Sequence, residues 1–89
     1  MSIEYTAQIW KEGDQFIAHA MPLDVMSAGS TPEGARKALD EAVHLFLATA
    51  AEMDALEEIL EEAGYEPRQG SWVSPPWIAI ERHSAVVNV

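Results

Sequence analysis

The stretch Ala28-Gly29-Ser30-Thr31-Pro32-Glu33-Gly34-Ala35 decides the fold, because it joins an extended, strand-patterned N-terminal third to a long amphipathic helix. Thr31 is a good N-cap, since its hydroxyl can accept a hydrogen bond from an otherwise unpaired first-turn N–H. Pro32 suits the first helical position, where its missing N–H costs nothing and its fixed φ is already helical. Glu33 sets negative charge at the positive end of the helix dipole. Gly34 costs about 1 kcal/mol against Ala inside a helix, and the sequence does not reveal what retains it.

Upstream of this junction, Ile3, Tyr5, Ala7 and Ile9 alternate with Glu4, Thr6, Gln8 and Trp10. A period of two with β-branched and aromatic residues predicts one strand over Ile3 to Lys11, with one face on a core. Glu12-Gly13-Asp14 supplies turn chemistry, and Gln15 to Met21 resumes the extended pattern, so the two runs form an antiparallel hairpin. In the second run Phe16, Ala18 and Ala20 oppose Ile17, His19 and Met21 across the pleat. Pro22 breaks the pairing, and Val25 to Ala28 is a short third strand. The spacing thus predicts a β-meander that feeds the capped helix.

Downstream, Ala35, Ala38, Leu39, Ala42, Val43, Phe46, Leu47 and Ala50 recur at three- and four-residue spacing, an apolar stripe wide enough to cover a sheet. Its alanines imply close approach of helix to strands. A second helix is expected from about Met53 to Ala63, set off by a kink near Glu52, with Asp54 as a possible cap and Gly64 as the residue that ends it. Tyr65 to Pro76 holds Pro67, Gly70, Ser71, Ser74, Pro75 and Pro76 and reads as a loop. Alternation from Trp77 to Arg82 predicts a last strand, which the apolar residues up to Val89 extend or turn into an arm onto a neighbouring subunit. The expected architecture is one α+β domain over residues 1–89: a small antiparallel meander packed by one long and one shorter helix, in the order β-β-β-α-α-β.

Composition narrows the function classes. Five Lys and Arg stand against fifteen Asp and Glu, a net charge of −10. Phosphate backbones repel such a chain, so no direct nucleic-acid binding is expected, whereas encounter with a basic partner is favoured. Acidity also serves solubility alone. The chain has no cysteine, which removes disulfides and Cys-based zinc sites and agrees with a cytoplasmic location. The start Met1-Ser2-Ile3-Glu4-Tyr5 lacks a signal-peptide pattern, and no apolar run reaches the roughly 20 residues of a membrane span.

No constellation of residues calls for catalysis. His19, His44 and His83 are far apart and match no metal-binding spacing, so neither metal nor cofactor is expected. Asp14, Asp24 and Glu33 could converge at one sheet edge, but turn and cap roles account for all three. Ser27, Ser30 and Thr31 have no adjacent histidine, and neither a nucleophile elbow nor a phosphate loop is present. The candidates for contact with a partner are the acidic hairpin turn at Asp14, the acidic helix face Glu57, Glu58, Glu61 and Glu62, and the tryptophans. Charged helix faces usually meet water. Tryptophan is enriched at interface hot spots; Trp10 falls on the polar face of its strand, and Trp77 opens the last strand.

With these elements in place, the chain resembles the HicB-like antitoxin family. The resemblance runs through Tyr5-Thr6-Ala7-Gln8-Ile9, Glu12-Gly13-Asp14-Gln15-Phe16-Ile17-Ala18, Met21-Pro22-Leu23-Asp24-Val25, the junction at Ala28 to Ala35, and Leu39-Asp40-Glu41-Ala42. Gly34-Ala35 stands where the family commonly has Glu-Ala, and Met21-Pro22-Leu23 where it has Cys-Pro-Asp. The resemblance implies a partial ribonuclease-H-like fold without nuclease activity. It further implies a homo-oligomer, dimer or tetramer, that binds and neutralises a small basic HicA-like toxin that cleaves mRNA. Many members carry a C-terminal DNA-binding module; none can be read here, which leaves any role in operator binding open. Two other readings remain: an orphan oligomeric scaffold or regulatory domain with no toxin, and an enzyme retaining ribonuclease-H chemistry. The last would need an acidic metal ligand in the middle of the first strand, where this chain has Thr6-Ala7-Gln8.

Overall fold

In the computed structural model, which describes residues 1–88, the junction forms as its chemistry dictates. Thr31 is extended, at φ −137° and ψ 159°, and its Oγ1 accepts from the Gly34 N–H at 2.9 Å. Pro32 opens helix α1, Pro32–Glu52. A cap of this kind contributes about 1 kcal/mol. All eight residues of the expected stripe are buried or half-buried, with Ala35, Leu39, Val43 and Ala50 fully so.

Before the helix come β1 (Ser2–Ile3), β2 (Thr6–Glu12), β3 (Gln15–Met21) and β4 (Val25–Gly29). The last three form an antiparallel meander in the order β2-β3-β4, with Glu12 facing Gln15 across the Gly13-Asp14 turn and Ala20 facing Val25. α1 covers one face of this sheet, mainly over β4 and β3. Ala18 and Ala20 of β3 are completely buried beneath it. Small side chains here let the helix axis come close, and Gly29 takes this furthest. A Cβ on Gly29 would lie 2.5 Å from the Ala35 backbone nitrogen and 2.7 Å from the Gly34 carbonyl carbon.

α1 ends after Glu52, and a shorter helix α2, Leu56–Glu62, follows. The expected kink is therefore a full break, and Asp54 has a different role from the one its residue type suggests. It does not cap α2, which has no side-chain cap. Instead it takes φ +58° after the C-cap Met53, so that its N–H donates to the Ala51 carbonyl and the next, of Ala55, to that of Ala50. This is the Schellman geometry that ends helices by satisfying their last carbonyls. α2 ends in the same way. Gly64, at φ +93°, donates to Glu61, and Tyr65 donates to Leu60. Leu60 and Tyr65 are both buried, which supplies the apolar contact of that motif.

The region after α2 corrects the expectation of a loop. Tyr65 and Trp72 are core residues, and a hairpin of β5 (Glu66–Arg68) and β6 (Ser71–Val73) turns at Gln69-Gly70. β6 pairs in parallel with β1, giving a second sheet in the order β1-β6-β5. The stretch expected as one strand from Ile3 to Lys11 thus changes partner at Glu4-Tyr5, from β6 to β3. Two bonds mark the change: the Glu4 N–H donates to Trp72 at 3.1 Å, and the Tyr65 hydroxyl donates to the Glu4 carbonyl.

The last strand expected from Trp77 does not form. Residues 74–88 carry no regular secondary structure, and Val89, the end of that reading, lies outside the described residues. Pro75 and Pro76 account for this, because two successive residues without N–H groups cannot continue the ladder that β6 makes with β1. The final strand of the observed order is β6, supplied by the segment that composition marks as a loop. The fold class is α+β as expected, with a three-stranded antiparallel meander, one long helix and one short one.

Candidate functional site

The meander has two faces, and only one is covered. On the face away from α1, Trp10 lies opposite Ile17 and Ile17 opposite Ala28, while Gln8, His19 and Met26 form the next row. Trp10 is 36% exposed and Met26 55%. The rings of Trp10 and His19 meet edge to face, with centroids 6.4 Å apart. His19 is held on both sides. The Gln8 amide nitrogen stands 3.1 Å from its Nδ1, and its Nε2 is bonded to Asp24 Oδ1 at 2.6 Å. Asp24 reaches this position from a turn in which it takes φ +60°, a conformation Asp tolerates better than most residues. Trp77 joins the same face by donating from Nε1 to Thr6 Oγ1 at 2.8 Å.

Trp77 is therefore tied to the first residue of β2, the strand that carries Trp10 four residues further on. Asp14 lies in the β2–β3 turn at the far end of that strand, exposed. Asp14, Asp24 and Glu33 do not converge. Asp14 and Asp24 occupy turns at opposite ends of β3, and Glu33 stands in the first turn of α1. The His19–Asp24 pair is the arrangement that sequence reasoning missed. The two residues are only five apart, yet the contact depends on the β3–β4 turn doubling the chain back.

Glu57, Glu58, Glu61 and Glu62 stand on α2, which packs mainly on α1. All four are exposed, and none takes part in an ion pair among the described residues. Between α1 and α2 runs a shallow cleft of about 370 Å³ lined by Ala42, Leu45, Phe46, Thr49, Ala50, Met53 and Ile59. Thr49 is its one polar side chain. Ile59 comes from α2, and Glu62 follows it at the three-residue spacing that places helical neighbours side by side. The acidic face and the apolar cleft thus share a helix.

Two tyrosines tie the layers together. Tyr5 donates to Asp40 Oδ1 of α1 at 3.0 Å, and its pKa is raised by burial, then by that bond and by the charge of Asp40. Tyr65 is pushed up to about 12, mainly by burial and further by the charge of Glu4. Neither lies beside a nucleophile, and among the described residues no group of three or more His, Cys, Asp or Glu is placed to hold a metal ion. Among the same residues no helix is long and apolar enough to cross a membrane. Comparisons with protein-family models, with curated proteins and with solved structures found no match.

Proposed function

We propose that this chain is a cytoplasmic, HicB-like antitoxin that neutralises a small basic mRNA-cleaving toxin by direct binding and catalyses nothing itself. The observation that carries the proposal is the pairing of four uncompensated carboxylates on α2 with the apolar cleft that α2 shares with α1. A basic, amphipathic surface complements both at once. Charge would speed encounter, and Leu45, Phe46 and Met53 would bury apolar area on docking. The meander, the capped helix entry and the net charge of −10 agree with the family resemblance.

The test is a titration. The candidate toxin, encoded beside this chain or co-purified with it, is given a messenger RNA substrate while the chain is added in rising amounts. Cleavage that stops near equimolar chain supports neutralisation by binding; cleavage unaffected by excess chain rejects it. The exposed apolar residues beyond Pro76 favour a second reading, an oligomeric scaffold with no toxin. That reading requires the chain to be recovered from cells only with copies of itself.

A further inference from the structure

Residues 77–88 have the chemistry of a buried strand and the surroundings of a free one. Ile78 is 94% exposed, Val86 93%, and Ile80 and Val87 are also largely in water. No backbone hydrogen bond joins this segment to the rest of the described chain. It also stretches the molecule. The radius of gyration is 15.3 Å and the longest dimension 47 Å, against about 12 Å for a compact chain of this length. Several large aliphatic side chains exposed together mark a surface that meets another molecule.

We infer that this segment is an arm exchanged with a second copy of the chain, where it adds a strand along the free edge of β2. Three observations select this partner and this edge. First, β2 offers an unpaired edge from Thr6 to Glu12, since β3 occupies its other side. Such an edge accepts an added strand through main-chain bonds. Second, the root of the arm already lies there, because Trp77 is bonded to Thr6. Two copies related by a two-fold axis at that edge would give and receive arms reciprocally, a closed arrangement.

Charge is the third observation. Glu81 and Arg82 cancel, so residues 77–88 are net neutral and the whole −10 rests on the rest of the chain. The arm is the segment that can approach a second acidic body without repulsion. The receiving edge carries charges of both signs. Lys11 and Glu12 lie on β2, and Arg36 and Lys37 line the cleft beside Tyr5 and Ala7 together with Glu33 and Asp40. The inference is independent of the antitoxin proposal, because it concerns the isolated chain.

The experiment is the solution mass of the purified full chain at micromolar concentration, by light scattering, beside two double variants. The wild type should contain two chains per particle. I78D/I80D should fall to one chain while keeping its far-UV circular dichroism and a cooperative melt, and amide exchange over residues 6–12 should accelerate. L45D/M53D, which alters the α1–α2 cleft, should remain a dimer. A monomeric wild type, a dimeric I78D/I80D, or a monomeric but folded L45D/M53D would each overturn the assignment.

Discussion

Two backbone positions govern whether the layers of this protein can come together. At Gly29 any side chain would collide with the backbone of the first turn of α1, at 2.5 and 2.7 Å. Backbone cannot rotate aside as a side chain does, so Gly29→Ala should destabilise the protein by about 1–3 kcal/mol, the range for overpacking. Denaturant unfolding measures this directly, and an unchanged midpoint would mean that β4 and α1 are further apart than described. Asp54 is the converse case. It holds a left-handed conformation, φ +58°, at the end of α1, which glycine adopts without steric cost. Its negative charge sits at the unfavourable end of the α1 dipole and at the favourable end of that of α2, so the two largely offset. Asp54→Gly should therefore stabilise by up to about 1 kcal/mol, read as a higher melting temperature, whereas Asp54→Ala should lower it. Neither role is legible from residue type. Asp before a helical stretch reads as a cap, and Gly29 gains its meaning only when α1 is docked.

At the scale of elements, legibility follows how local the determining forces are. The β2–β3 hairpin and α1 can be read from alternation, turn residues and a cap, all within a few residues of one another. β5 and β6 are three residues each, with Pro67 inside the first and Gly70 between them, and β6 is held by residues 2–4 alongside it. No local pattern announces such a pairing. The arm fails in the opposite sense, since its alternation is real but Pro75 and Pro76 keep it from its own sheet. The bond from Tyr65 to the Glu4 carbonyl holds the second sheet to the point where the first strand changes partner. This link carries a pH signature. With its folded pKa near 12 against 10 for the free side chain, Tyr65 holds its proton more tightly when folded. Its contribution is complete below about pH 10 and is lost as pH rises towards 12. The melting temperature of the wild type should fall more steeply over that range than that of Tyr65→Phe. Equal slopes would show that Tyr65 is not buried as described. Among the candidate partner contacts, the exposure of Trp10 and of the α2 glutamates was legible, because strand and helix periodicity sort faces directly. The cleft beside α2 was not, because it needs the angle at which the two helices meet.

For the whole molecule, the surface divides into regions of different chemistry: an acidic helix beside an apolar cleft, and a neutral apolar arm beside a strand edge of mixed charge. The first suits a basic partner and the second a copy of the chain, so the two contacts can coexist. Replacing Glu57, Glu58, Glu61 and Glu62 together by Lys should weaken toxin binding by about tenfold or more at low salt, given the fractions of a kcal/mol that each exposed charge contributes. The residual binding should depend less on salt. The same four positions changed to Gln separate charge from helix stability, because Gln propagates a helix about as well as Glu. Affinity unchanged in both series would remove α2 from the interface. The most direct measurement of the central claim is recovery of the tagged full chain from its native cells at low and moderate salt, read by intact mass. A stoichiometric small basic protein should come with the chain, be lost as salt rises and cleave messenger RNA once freed. Recovery of this chain with no partner at either salt would contradict the claim.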